Sequence, residues 1–238
     1  YDQSIIVTGN EINEYFKVLL AALSKIRPEL ASKTKHIGHG MVRMPGGKMS
    51  SRLGNVILGE WLLDEAKKRV QTAFKVSSDL AEQIGTGAIK YALLKGSIGQ
   101  DVNFSFEESI SLNGNSGPYL QYTHARCRSV LARDKVRSPK PAIASEAKQS
   151  NSKIATDSSN PRNDKMTSQL SDLAGQEKLL LRALGHFEEV VLDAANLYSP
   201  NLVANFLYEI AQKYNTLYNN LPILKAGKSE RARRLFLT

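Results

Sequence analysis

Residues 46–55 read Gly46-Gly47-Lys48-Met49-Ser50-Ser51-Arg52-Leu53-Gly54-Asn55, a short polar loop that combines glycines, hydroxyls and two cations. Glycine lets the backbone approach a ligand closely. Lysine supplies a point charge and arginine a planar fork, and both suit phosphate. An apolar run follows at residues 56–58. The loop therefore indicates a polyphosphate-binding turn between buried elements, although a solvated turn with incidental basic residues has the same composition.

The order of residues in Lys48-Met49-Ser50-Ser51-Arg52 resembles the second signature loop of class I aminoacyl-tRNA synthetases. In that family the loop closes over the ATP phosphates, and a second lysine usually stands where this chain has Ser51. Arginyl-tRNA synthetases often have Ser or Thr there, followed by Arg. The resemblance implies that Lys48 is the main cation for the departing pyrophosphate, with Arg52 as a second cation and Ser50 as a hydroxyl donor. It also implies that Met49 and Ser51 contact ATP.

The bulk composition bounds the class of protein. A chain of 238 residues suggests one or two domains. Its formal net charge of +9 favours an anionic partner, of which nucleic acid is the commonest large one, although such a charge also promotes solubility. The single cysteine, Cys127, excludes an internal disulfide and a cysteine-based zinc site, and it fits a reducing compartment.

The ends and the hydropathy of the chain give two further expectations. No apolar run has membrane-spanning length and no signal peptide is visible, so we expect a cytoplasmic protein without a membrane partner. The first residue is Tyr1 rather than Met, so we expect a fragment or a processed piece.

The first thirty residues have the pattern of half a βαβ unit. Residues 4–8 are apolar and β-branched, which predicts a buried strand, and an apolar stripe at helical spacing follows to Leu23. Ligands of parallel sheets lie at the carboxyl ends of the strands, so Gly9 and Asn10 are placed to contact a nucleotide. A plain turn with Asn10 as a helix cap explains them equally well.

His36-Ile37-Gly38-His39 spells the first signature of class I synthetases, but it lies within a dozen residues of Lys48. It is more similar to the His-x-x-x-Gly-Met-Val stretch that precedes the lysine loop in arginyl-type enzymes. That resemblance implies a strand over residues 40–44 whose backbone edge could meet adenine. The implied ATP contacts are His36, Gly40, Met41 and Val42. No carboxylate or cysteine stands nearby, so no metal site is predicted.

Two helices are predicted over residues 61–70 and 78–95, and Gly85 and Gly87 in the second suggest close packing against a neighbour. Residues 101–106 alternate as a strand does, or they dock two phenylalanines into a core, and docking is the favoured interpretation.

Residues 114–126 form a second informative stretch, Gly-Asn-Ser-Gly-Pro-Tyr-Leu-Gln-Tyr-Thr-His-Ala-Arg. Pro118 suits a first helical turn, and the helix is predicted to run to about Arg133. Basic and aromatic side chains can grip RNA, but a solvated amphipathic helix has the same pattern. The stretch resembles the Asn-x-Gly-Asn-Thr-Gly-Pro-Tyr-Leu-Gln-Tyr run of arginyl-tRNA synthetases. This implies tRNA contacts by Tyr119, Gln121, Tyr122, Arg126, Arg128 and Arg133.

Residues 138–169 lack leucine, valine and aromatic side chains, so we predict a disordered insertion. Three helical patterns follow, at residues 173–184, 186–198 and 199–219, and Arg231, Arg233 and Arg234 begin another basic helix. This region resembles the helical anticodon-binding domain of the arginyl family, which adds Arg231 and Arg234 to the implied tRNA contacts.

Together these features predict the α/β end of a Rossmann-like catalytic domain over residues 1–115 and an all-α anticodon-binding domain over residues 116–238, mostly α overall. The resemblance implies an arginine–tRNA ligase that uses ATP with Mg²⁺, arginine and tRNA. It also implies that this chain alone binds tRNA but does not make arginyl-adenylate. The alternatives are a noncatalytic RNA-binding helical module and a class I synthetase for another amino acid.

Overall fold

The computed structural model describes residues 1–44, 58–137 and 173–238. The lysine loop at residues 46–55 lies outside these ranges, and so does the predicted insertion at residues 138–169. The chain divides into a first unit of Tyr1–Gln121 with Glu189–Tyr208 and a second unit of Tyr122–Glu188 with Glu209–Thr238. The domain boundary at residues 115 and 116 stays a prediction.

The first unit begins with the predicted βαβ pattern. Strand β1 (Ser4–Gly9) pairs in parallel with β2 (Thr34–His39), with Ser4 opposite Thr34 and Gly9 opposite His39. A 3₁₀ turn (Asn10–Ile12), α1 (Asn13–Ile26) and α2 (Pro28–Lys33) connect the two strands.

The prediction that the first strand is buried was wrong. Ile5 and Val7 are 47% and 60% exposed. The hydrophobic pattern correctly gave the strand, but β1 pairs with one strand only among the described residues. Parallel sheets normally bury both faces, which is why the apolar pattern suggested a buried strand.

A second small sheet continues the first unit. Strand β3 (Val42–Arg43) pairs in parallel with β4 (Val102–Asn103). Around it lie α3 (Gly59–Phe74), α4 (Ser78–Leu94) and α5 (Phe106–Ser109). The core here contains Ala66, Ile89, Ala92, Phe104 and Phe106. Residues 101–106 therefore supply both a short strand and two docked aromatic rings, so the two interpretations of that segment are both correct.

Glycines allow the helices of this unit to approach closely. A Cβ added to Gly85 in α4 would lie 3.1 Å from the backbone nitrogen of Lys67 in α3. Helix α6 (Gly117–Arg137) begins at a buried glycine, where a Cβ would lie 2.7 Å from the carbonyl oxygen of Gly87. The Ser116 hydroxyl accepts from the Tyr119 N–H at 3.3 Å and caps this helix. The close packing predicted for residues 78–95 is confirmed.

The remaining helices are α7 (Gly175–Gly185), α8 (Phe187–Asn196), α9 (Pro200–Asn220) and α10 (Lys228–Phe236), which confirms the three helical patterns and the basic helix. The hydrophobic core of the second unit contains Val130, Leu180, Tyr214, Leu217, Ile223 and Leu237. In the ranges that the structure describes, no helix is both long and apolar enough to cross a membrane. The mostly helical fold with small parallel sheets is as predicted.

Gly117→Ala should lower the free energy of unfolding by about 1–3 kcal/mol, because the new methyl group would overlap the backbone of α4. Gly175→Ala is the matched control, since Gly175 also begins a helix but has nothing within 4 Å of an added Cβ. Urea denaturation of both variants tests this, and equal stability of the two would contradict the close contact.

Candidate nucleotide and nucleic-acid sites

The carboxyl ends of β1 and β2 lie side by side, as expected for a parallel unit. Gly9 is paired with His39, and the next residue, Asn10, begins the connecting turn. The Asn10 side-chain amide donates to the Gly99 carbonyl oxygen at 3.2 Å and does not cap α1. Asn10 therefore contacts the turn before β4, which brings that turn to the strand ends where a nucleotide contact was predicted.

His36 lies in the middle of β2, and its ring is packed. It stacks on Phe16 of α1 with ring centroids 3.9 Å apart and an interplanar angle of 3°. Its Nε2 is 2.8 Å from the Thr8 hydroxyl oxygen. A first class I signature belongs on a strand-to-helix turn, so the position of His36 within a strand agrees with its assignment to the stretch that precedes the lysine loop.

Groups of β3 and of the residue before it donate hydrogen bonds to one carboxylate, that of Asp101. Asp101 accepts from the Met41 N–H at 2.8 Å through Oδ1 and from Arg43 Nε at 2.9 Å through Oδ2. The Met41 N–H, followed by Arg43, lowers the pKa of Asp101 below its usual value. Gly40 is buried, and a Cβ there would lie 2.0 Å from the Gln100 carbonyl oxygen. The segment predicted to meet adenine is thus held against the chain before β4.

The lysine loop carries all of the residues predicted to act in catalysis. Its predicted catalytic residues Lys48, Ser50 and Arg52, and the predicted ATP contacts Met49 and Ser51, all lie outside the described residues. Their roles stay predictions.

Two of the predicted tRNA contacts lie at the start of α6 within the first unit. The Tyr119 ring meets that of Tyr208 edge to face, with centroids 5.6 Å apart. Gln121 Nε2 donates to the Gln83 carbonyl oxygen of α4 at 3.3 Å. Both side chains therefore contribute to packing.

Arg126 lies at the centre of a cluster in the second unit. Its guanidinium carbon lies 4.7 Å from the ring centroid of Tyr122 and 4.6 Å from that of Tyr218. Nη2 donates to the Tyr122 hydroxyl at 2.8 Å, and Nη1 donates to Asn215 Oδ1 at 2.6 Å. We call Tyr122, Arg126, Asn215 and Tyr218 the Arg126 cluster. Tyr122 is 46% exposed and Tyr218 is 36% exposed, so the cluster presents aromatic surface with its cation already oriented.

The other predicted basic contacts differ from one another. Arg128 and Arg133 are exposed on α6. Arg231 of α10 forms an ion pair with Asp134 of α6, with Nε 2.9 Å from Oδ1. Arg128 and Arg133 are therefore accessible to a phosphate backbone, whereas the charge of Arg231 is partly compensated.

Arg234 is buried, in contrast to the prediction that it contacts tRNA. It is 6% exposed, and its Nε donates at 2.8 Å to Glu177, which is fully buried. Its Nη1 donates to the Pro222 carbonyl oxygen at 2.7 Å, and Glu177 also accepts from the Ala174 N–H at 2.7 Å. An RNA contact by Arg234 would require this ion pair to open, so Arg234 is assigned a structural role.

Residues 120–238, half of the chain, match the DALR anticodon binding domain family. The chain belongs to the DALR anticodon-binding domain family. The Arg126 cluster, Arg128, Arg133 and the buried Glu177–Arg234 pair all lie within this domain.

Relatives of known name match the chain nearly end to end. An arginine–tRNA ligase of Bacteroides fragilis is 35% identical over 235 residues, which cover 94% of this chain and 36% of that protein. One from Porphyromonas gingivalis is 32% identical over 249 residues, covering all of this chain and 38% of that protein. The chain thus spans just over a third of the length of the relatives it matches.

The solved structure of Thermus thermophilus arginyl-tRNA synthetase superposes with a TM-score of 0.76 at 27% identity, over 99% of this chain and 37% of that one. The resemblance of this chain to arginyl-tRNA synthetases was inferred from the lysine loop and from residues 114–126. These comparisons confirm it.

Sequence reasoning missed Glu177 and Asp101. Glu177 lies three residues after Ala174, at the position of the acidic residue in a capping box. The Ser or Thr that normally begins such a box is replaced by Ala174, so the sequence does not indicate the cap. Asp101 lies 58 residues from Arg43, and no local pattern links them.

Glu177→Gln should lower the free energy of unfolding by up to about 3–5 kcal/mol, because it leaves the buried Arg234 charge with only the half-exposed Glu230 carboxylate, 3.8 Å from Nη1. Glu14→Gln, which breaks the exposed Glu14–Lys17 pair of α1, is the control and should change stability little. Denaturation curves compare the two, and similar losses would show that the buried pair is not structurally important.

Proposed function

We propose that this chain forms part of an arginine–tRNA ligase, in which it binds tRNA through its DALR domain and contributes the loop that contacts the ATP phosphates. The observation that carries the proposal is the similarity of nearly the whole chain to proteins named arginine–tRNA ligases. The implied reaction joins the arginine carboxylate to the α-phosphate of ATP with release of pyrophosphate, then transfers the aminoacyl group to the 3′ end of the tRNA with release of AMP. A cytoplasmic location accompanies this role.

The Arg126 cluster supports the tRNA half of the proposal. Unpaired bases of RNA stack on aromatic rings, and Tyr122 and Tyr218 present partly exposed rings beside a cation. Arg128 and Arg133 on the same helix are exposed and can contact phosphates. The contacts that fix Arg126 exist without RNA, so less ordering would be needed when RNA binds.

The ATP half rests on the sequence motif and on the neighbourhood of β3. Lys48 and Arg52 would neutralise charge on the leaving pyrophosphate, and Ser50 would donate a hydrogen bond. Gly9, Asn10, Gly40, Met41 and Val42 would border the nucleotide. Magnesium would accompany ATP, although the described residues bring together no group of three or more His, Cys, Asp or Glu.

Two other functions remain candidates. A noncatalytic RNA-binding module would use the same Arg126 cluster without any role for Lys48. A class I synthetase for another amino acid would keep Lys48 and the ATP contacts. The run from Gly114 to Arg126 and the names of the relatives favour the arginine enzyme.

The purified chain should bind an arginine-accepting tRNA with an affinity that falls steeply as salt rises. Arg128→Gln and Arg133→Gln should each reduce the magnitude of the log–log salt slope by about one, because each removes one phosphate contact. Lys17→Gln, on α1 of the first unit, removes the same charge and should leave the slope unchanged. Filter binding or fluorescence anisotropy at several salt concentrations measures this.

Salt-independent binding, or equal slopes for all three variants, would contradict the phosphate contacts proposed for Arg128 and Arg133 on α6. Equal affinity for arginine-accepting and unrelated tRNAs would instead favour the noncatalytic RNA-binding module.

Lys48→Ala, in an active synthetase that contains this sequence, should slow arginine activation on the order of a hundredfold, because one preorganised cation is lost from the transition state. Pyrophosphate exchange measures the activation step, and tRNA affinity measured in parallel should change little. Unchanged exchange would rule out the assignment of Lys48.

A further inference from the structure

Strand β3 is short, and a side chain completes its pairing with β4. The Val102 N–H donates to the Met41 carbonyl oxygen and the Phe104 N–H donates to the Arg43 carbonyl oxygen, both at 2.8 Å. In a regular parallel ladder a backbone carbonyl would also accept the Met41 N–H. Here the Gln100 carbonyl lies against Gly40, and the Asp101 carboxylate accepts the Met41 N–H at 2.8 Å in its place.

The same carboxylate also binds Arg43, so it contacts both residues that flank Val42, Met41 and Arg43. Asp101 Oδ2 accepts from Arg43 Nε at 2.9 Å. Both residues that flank Val42 are thus bonded on the β4 side. Backbone groups of successive strand residues point to opposite edges, so the Val42 N–H and C=O face away from β4.

One donor and one acceptor on a single residue are the complement of one edge of adenine. The adenine N1 accepts a hydrogen bond and its N6 amino group donates one, whereas guanine carries the opposite pattern at these two positions, an N1–H donor and an O6 acceptor. A strand held in one register would therefore favour ATP over GTP, and a strand free to shift would discriminate less.

We infer that Asp101 is a positioning residue for adenine recognition, which fixes Met41 and Arg43 so that the backbone of Val42 meets the base. This inference rests on the proposed function, because it presupposes that the chain binds ATP near β3. The carboxylate does not touch the nucleotide, and its effect is transmitted through the register of β3.

The test is a titration of the ¹⁵N-labelled full chain with ATP and, separately, with GTP, followed at the Val42 amide resonance. The wild-type chain should show a larger shift and tighter binding with ATP. Asp101→Ala should weaken ATP binding by about two- to tenfold, the range expected for one lost hydrogen bond, and should reduce the ATP-to-GTP preference.

Asp101→Asn keeps an oxygen acceptor for the Met41 N–H and should fall between the wild type and Asp101→Ala, which separates positioning from a general loss of folding. Glu14→Ala removes another exposed carboxylate with an ion pair and should change neither quantity.

The outcomes distinguish this inference from the proposed function. ATP binding at Val42 with an unchanged preference in both Asp101 variants would overturn the positioning role alone. No response of Val42 to ATP in the wild-type chain would overturn the ATP half of the proposed function and this inference with it.

Discussion

The guanidinium of Arg126 joins α6 to α9 within the second unit. Its guanidinium carbon lies over the rings of both Tyr122 and Tyr218, and the group donates to Asn215 and to the Tyr122 hydroxyl. Cation–π contacts are strongest when the cation is partly desolvated, and a guanidinium loses less hydration than an ammonium when it stacks. Arg126 contacts both tyrosines, and Tyr218 also packs against the buried Tyr214 ring at 6.2 Å between centroids, so the aromatic surface proposed for RNA is set by folding rather than by binding.

Much of the fold follows from local sequence pattern. The apolar and β-branched run at residues 4–8 gave β1, and the spacing of apolar side chains gave the helices. Gly85 and Gly87 gave the close helix contacts, because a glycine inside a helix is costly unless a neighbour approaches. Pro118 gave the start of α6, which the Ser116 hydroxyl caps. In each case the signal lies in the residues that form the element or make the contact.

The features that sequence reasoning missed join residues distant in the chain. Glu177 and Arg234 are 57 residues apart, and a basic residue on a predicted helix is ordinarily solvated, so Arg234 was taken for an RNA contact.

Tyr198 is a further residue whose role was missed. It has φ 55° after α8, where the Ser199 N–H donates back to Ala194, a position that usually requires glycine. The Lys35 ammonium lies 4.0 Å from the Tyr198 ring centroid, and no local pattern in the chain indicates that contact.

The central claim is that α6 and the Arg126 cluster form the RNA-binding surface of a DALR domain. Hydrogen–deuterium exchange of the full chain, with and without an arginine-accepting tRNA, tests it most directly. The account predicts that tRNA slows exchange in residues 120–134 and in residues 212–220, with little change in α1. Protection confined to α1 and α2, with none in α6, would contradict it.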